Sequence, residues 1–208
     1  MGVVFIKKVS EHAQLGLWKI EESAEDLVAQ LNLSGSDQEM LHSKKNILRK
    51  KEWLASRNLL KAMFPKNKGI RYDTNGKPFL NETSNHISIS HSGDYACVYL
   101  NQQNPVGVDI QKLKPDISKG ADFFLSAAEL DQFGTSDNLL LHILWSAKEA
   151  VYKFFAAADI DVKKDIYLLP FQRNQSGTIE VNISYSDQDV NLHLHYQTFD
   201  DYVLTRTN

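Results

Sequence analysis

The tightest constraint on this chain is an antiparallel run near its centre. Residues 86–90 alternate as a strand, Ser92-Gly93-Asp94 supplies a turn, and residues 95–100 read as the return strand. After a polar connector at 101–105, residues 106–111 make a third strand. Helical spacing resumes at 126–133 and at 138–158, and strands follow near 178–185, 190–197 and 202–206. Upstream, strands at 3–9 and 15–20 precede a helix near 23–31. A longer helix near 37–63 is interrupted or bent and ends before Pro65, and Asn75-Gly76-Lys77-Pro78 is a turn. This order predicts an α+β fold. Asp94-Tyr95-Ala96-Cys97-Val98 and Asp201-Tyr202-Val203-Leu204-Thr205 are similar turn-then-strand texts, one in each half. The expected architecture is therefore two similar α+β halves, 1–104 and 105–208, related by a pseudo-twofold. Each has a small antiparallel sheet packed on helices, with a ligand cleft between them.

A chain of 208 residues buries roughly 70% of its unfolded surface, enough for a core without staples. Its one cysteine, Cys97, excludes an internal disulfide framework and a cysteine zinc site, and in an apolar run it reads as a buried thiol. The apolar opening at 3–6 is too short for a secretory signal, and Lys7 and Lys8 follow at once. Nothing approaches the roughly 20 apolar residues of a membrane span. The expectation is a cytoplasmic protein without a membrane partner.

The net charge of −3 conceals an asymmetry. Residues 44–71 carry Lys44, Lys45, Arg49, Lys50, Lys51, Arg57, Lys61, Lys66, Lys68 and Arg71, against Glu52 alone. Such a run is either a solvated helix face or the footprint of a phosphate-rich partner.

In the strand at 106–111, Val106, Val108 and Ile110 share one face, and Gly107, Asp109 and Gln111 share the other. The glycine leaves room for close approach beside a carboxylate and an amide. In the helix through Trp145-Ser146-Ala147-Lys148-Glu149, Lys148 or Glu149 lies one turn from Tyr152 and Lys153. Magnesium prefers one or two protein carboxylates, with phosphates and waters completing its shell, and lysines neutralise the phosphates. Singly, each residue has a plainer reading. Asp109 is then an exposed strand residue, and Glu149–Lys153 a surface ion pair worth about 0.3–0.5 kcal/mol. His91, between Ser90 and Ser92, is a turn residue or a phosphate donor. His193 and His195 read as an exposed strand face. No Gly-x-Gly-x-x-Gly, P-loop or Gly-x-Ser-x-Gly occurs, which sets aside Rossmann enzymes, common nucleotide hydrolases and serine hydrolases.

Gly107-Val108-Asp109, followed by Trp145-Ser146-x-Lys148-Glu149-Ala150-x-x-Lys153, resembles the signature of the 4′-phosphopantetheinyl transferase superfamily. Gly76-Lys77-Pro78-Phe79-Leu80 before Ile89-Ser90-His91-Ser92, and Glu52-Trp53-Leu54-Ala55-Ser56-Arg57, resemble its larger, surfactin-synthetase-activating type. The resemblance covers roughly residues 45–155. It implies a magnesium-dependent transfer of the 4′-phosphopantetheine arm of coenzyme A to a serine of an apo acyl or peptidyl carrier protein, releasing adenosine 3′,5′-bisphosphate. It further implies that Asp109 and Glu149 are metal ligands, with Gln111 where many two-halved members have a third ligand, Glu. Lys153 would contact the diphosphate, and Lys148 would lie at the reacting centre. Ser90 and His91 would hold phosphates, with Lys77 near the adenine nucleotide and Arg49, Lys50 and Arg57 completing the clamp. Glu149 is also the candidate general base. Ala121-Asp122 before Phe123-Phe124 departs from relatives that often carry a basic residue there. The expected state is a monomer without a nucleic-acid partner. The alternatives are a non-catalytic coenzyme A or nucleotide binder, and a nucleic-acid module built on residues 44–71 with Trp53.

Overall fold

The computed structural model describes residues 2–67, 69–156, 159–186 and 188–208. Lys68, in the basic run, and Ala158, at the expected end of a helix, lie outside the described residues. The fold is mixed α+β with antiparallel sheets. Contacts gather into two compact units, 1–71 with 78–104, and 72–77 with 105–208.

The first unit contains β1 (Val3–Lys8), β2 (Ala13–Lys19), α1 (Ala24–Ala29), α2 (Gly35–Ser43) and α3 (Ile47–Met63). A two-stranded ribbon, β3 (Ile70–Tyr72) with β4 (Pro78–Leu80), precedes β5 (His86–Ser92) and β6 (Tyr95–Asn101). Its main sheet runs β1-β2-β6-β5, each neighbour antiparallel. The long helix expected over 37–63 is two helices. Ser34 and Asp37 form a reciprocal capping box at α2, and the Asn46 side chain accepts from the Leu48 and Arg49 N–H groups to start α3. Two caps so close in sequence each satisfy orphan donors that one continuous helix would not present. Trp53, Leu54, Leu60 and Met63 of α3 pack with Trp18, Ile87 and Val98. Each buried leucine contributes about 1.5–3 kcal/mol.

The second unit contains β7 (Val108–Lys112), a 3-10 turn (Ile117–Gly120), α4 (Ala121–Phe124), α5 (Ala127–Phe133) and α6 (Asn138–Phe155). It closes with β8 (Ile166–Leu168), β9 (Ser176–Tyr185), β10 (Gln188–Phe199) and β11 (Tyr202–Thr207). The antiparallel order is β7-β11-β10-β9-β8. Helix α6 packs across β7 and β11, burying Leu141, Leu144, Ala147 and Val151 among Ile179, Val181, Leu194 and Val203. It stops where Ala156 turns to φ +51°, with its N–H on the Tyr152 carbonyl. The three-residue strands β3, β4 and β8 were not expected, because alternation over three positions carries no periodic signal. Among the described residues, no helix is long and apolar enough to cross a membrane.

Candidate functional site

In the second unit, the residue that shapes the site is Gly107. A Cβ there would lie 1.9 Å from the Ala150 carbonyl oxygen and 2.9 Å from the Phe154 nitrogen. The bare backbone therefore lets α6 settle against the start of β7, and two residues later Asp109 faces the helix turn that carries Glu149 and Lys153. Gly107 is held in place by its neighbour on β11. Its N–H donates to Thr207 Oγ1 at 3.0 Å, and its carbonyl accepts from the Thr207 N–H at 2.9 Å.

Asp109 is 1% exposed, so it is not the exposed strand residue of the plainer reading. Lys153 Nζ donates to its Oδ1 at 2.7 Å, and Gln111 Nε2 to its Oδ2 at 3.0 Å. Burial raises the proton affinity of Glu149, and the neighbouring Asp109 charge raises it further, while Lys153 opposes both. Two carboxylates, one amide and one ammonium thus converge from one strand and one helix.

Lys148 is elsewhere. It is 0% exposed, and its ammonium donates to Glu129 Oε2 at 2.8 Å, the Val162 carbonyl at 2.9 Å and the Ile166 carbonyl at 2.7 Å. Those three bonds use all three donors of a lysine. Burial still pushes its pKa down, and the bond and charge of Glu129 pull it back. Glu129 is buried because it also closes the capping box of α5 with Ser126 and accepts from the Leu168 N–H. Its partnership with Lys148 was missed from sequence, although Ser126-x-x-Glu129 carries the capping-box signal. Lys77 extends its ammonium to within 3.5 Å of the Phe154 carbonyl, with its pKa lowered by burial.

The remaining expected residues lie in the first unit. His91 Nδ1 stands 3.2 Å and Arg49 Nη1 3.0 Å from the same oxygen, Oε2 of Glu52. Ser90 is buried on β5, and Lys50 is half-buried on α3. Arg57 is not gathered into this cluster. Its guanidinium stacks 3.3 Å from the centroid of a Trp53 ring, and Nε lies 3.5 Å from Asp37. Of the basic run, the structure thus brings Arg49 to His91 and turns Arg57 to Trp53.

Among the described residues, no three His, Cys, Asp or Glu side chains converge as a metal cage. The Asp109, Glu149 and Gln111 set offers hard oxygens and two carboxylates, which suits magnesium sharing its shell with water and phosphate and does not suit zinc or copper.

Residues 105–207 match the family model described as "ACPS: 4'-phosphopantetheinyl transferase superfamily". A 112-residue segment, 50% of this chain, is 34% identical to the "4'-phosphopantetheinyl transferase AcpT" of Escherichia coli O157:H7, over 57% of that protein. An 84-residue segment, 38% of this chain, is 38% identical to the "4'-phosphopantetheinyl transferase psf-1" of Bacillus pumilus, over 36% of its length. A 106-residue segment, 47% of this chain, is 36% identical to the "4'-phosphopantetheinyl transferase ffp" of Bacillus subtilis, over 46% of it. The chain thus spans little more than half the length of the first of these relatives and less than half of the other two.

Proposed function

This chain belongs to the 4′-phosphopantetheinyl transferase superfamily, and from that premise we propose that it moves the 4′-phosphopantetheine arm of coenzyme A onto a serine of an apo acyl or peptidyl carrier protein. The observation that carries the reading is the convergence of Asp109, Glu149 and Lys153, which the missing Cβ of Gly107 permits. Asp109 and Glu149 would hold Mg2+, with Gln111 ligating directly or through water. When bound, the ion would neutralise charge on the diphosphate.

The serine Oγ attacks the β-phosphorus and gives up its proton. The bond from that phosphorus to the bridging oxygen breaks, and its electron pair leaves with adenosine 3′,5′-bisphosphate. Glu149 takes the proton, directly or through water. Lys153, paired with Asp109 at 2.7 Å, would be the group that contacts the diphosphate. His91 and Arg49, with Ser90, take a phosphate of coenzyme A, and Lys50 and Lys77 add positive charge for the nucleotide.

Lys148 acts through position. With its ammonium committed to Glu129, Val162 and Ile166, it sets the rotation of α6, and the next residue, Glu149, is thereby turned about 100° away from that buried tie. Arg57, stacked on Trp53, steadies α3 in the same indirect way.

The test is the intact mass of an apo acyl carrier protein incubated with this protein, coenzyme A and magnesium, with and without chelator. A metal-dependent gain of one phosphopantetheine arm is expected. No gain across acyl and peptidyl carriers, with coenzyme A still bound, would instead support a non-catalytic coenzyme A binder.

A further inference from the structure

Glu52 is the lone acid of the basic run and is 2% exposed, deeper than either of its partners. One of its oxygens, Oε2, faces both His91 Nδ1 at 3.2 Å and Arg49 Nη1 at 3.0 Å, and those two nitrogens are 3.5 Å apart. The partners are more open. The Arg49 side chain is 63% exposed and that of His91 32%. Burial pushes the pKa of this carboxyl up, yet the bonds and charges of His91 and Arg49 outweigh burial and keep it below the usual carboxylate value. Lys44 also feels this carboxylate, together with the charges of Arg49 and Arg57. A buried carboxylate therefore lies beneath a more exposed rim formed by the Arg49 guanidinium and the His91 ring.

We infer that Glu52 is a positioning residue of the phosphate site, acting through His91 and Arg49 without touching the ligand. The inference rests on the reading of His91 and Arg49 as ligands of a coenzyme A phosphate. Three physical points support it. First, one carboxylate oxygen shared by His91 Nδ1 and Arg49 Nη1 holds the two side chains side by side before any phosphate arrives, so the rim is organised in advance. Second, an ionised carboxylate at Nδ1 favours a proton there and turns the Nε2 edge of the ring toward a ligand, where an Nε2–H donates to phosphate once the ring carries both protons. Third, the same oxygen anchors a flexible arginine whose ordering would otherwise be charged to binding. Serine or asparagine at position 52 would supply none of these together, because neither brings a full negative charge.

The test uses the whole chain and the isosteric variant Glu52→Gln. Coenzyme A affinity, read by calorimetry and as KM, is expected to weaken about tenfold, the order expected for loss of one charge-assisted bond. The kcat at saturation should stay within about twofold. His91→Gln should weaken affinity similarly, and Glu52→Gln added to it should cost less than about twofold more, because the two act as one unit. In wild type at neutral pH, imidazole 15N spectra should show a proton on His91 Nδ1, a measurement that needs no variant. A wild-type His91 protonated on Nε2 alone would overturn the inference. So would unchanged affinity in a folded Glu52→Gln protein, or losses that simply multiply in the double variant. Calorimetry and spectra need no carrier protein, so absent transfer with intact coenzyme A binding would refute the enzymatic reading while leaving Glu52 fully tested. Wild-type protein that fails to bind coenzyme A would remove the phosphate reading on which Glu52 depends.

Discussion

Replacing Gly107 with alanine inserts a methyl carbon 1.9 Å from the Ala150 carbonyl oxygen and 2.9 Å from the Phe154 nitrogen. Both are backbone atoms of α6, so no rotamer change relieves the overlap. An ordinary contact near 3.4 Å requires β7 and α6 to separate by about 1.5 Å. The strand cannot retreat freely, because Gly107 exchanges two hydrogen bonds with Thr207. Overpacking of this kind costs about 1–3 kcal/mol, and each kcal/mol lowers Tm by about 2–4 °C in a chain of this size. The same displacement lengthens the Lys153–Asp109 contact, now 2.7 Å, and moves Glu149 away from Asp109. Misplacement by about 1 Å can cost on the order of 100-fold in rate. We expect Gly107→Ala to melt several degrees lower and to transfer phosphopantetheine about 100-fold more slowly, by calorimetric melting and intact-mass time courses. Gly35→Ala is the control, since a Cβ there meets nothing within 4 Å. A Gly107→Ala protein with wild-type Tm and a rate within about threefold of wild type would refute the claim that this close approach builds the site.

Three other perturbations separate the roles of neighbouring residues. Lys148→Met leaves the buried Glu129 charge without its cation and should destabilise by about 3–5 kcal/mol in urea unfolding; a fully stable variant that merely lost turnover would place Lys148 in the chemistry. Glu149→Gln removes a carboxylate whose proton affinity is raised by burial and by Asp109, so Tm should hold or rise while transfer falls at least about 100-fold, and a lower Tm would contradict that electrostatic account. His142 donates from Nδ1 to the Asn138 carbonyl and accepts the Lys114 N–H at Nε2, and burial lowers its pKa from 6.5. The unfolded chain then binds the extra proton, so this stabilisation is present above pH 6.5 and is lost as pH falls through 6.5 toward the folded pKa. His142→Gln should flatten the pH–Tm profile in that window, and an unchanged slope would show that His142 does not carry it.

Much of this protein was legible locally. The hairpin of β5 and β6, with Ser92-Gly93-Asp94 between, follows from alternation and a turn, and β6 pairs with β5 over 95–101 as alternation expects. The placement of Asp109 on a strand and of Glu149 and Lys153 on one helix was equally readable, because periods of 2 and 3.6 are properties of the backbone. The break between α2 and α3 was foreseen only as an interruption. Its position depends on Asn46, one polar residue among many in that stretch.

What sequence determined by itself, then, was which side chains each element carries and on which face. What only the tertiary structure decided was which of them meet. Lys153 reaches Asp109, 44 positions away, because a missing Cβ lets a helix close on a strand. Lys148, one residue before Glu149, is turned into the core by Glu129 on another helix. Glu52 finds His91 across 39 positions of chain. Local spacing sets the direction of a side chain, but the partner at the end of it depends on how closely and at what rotation two elements pack.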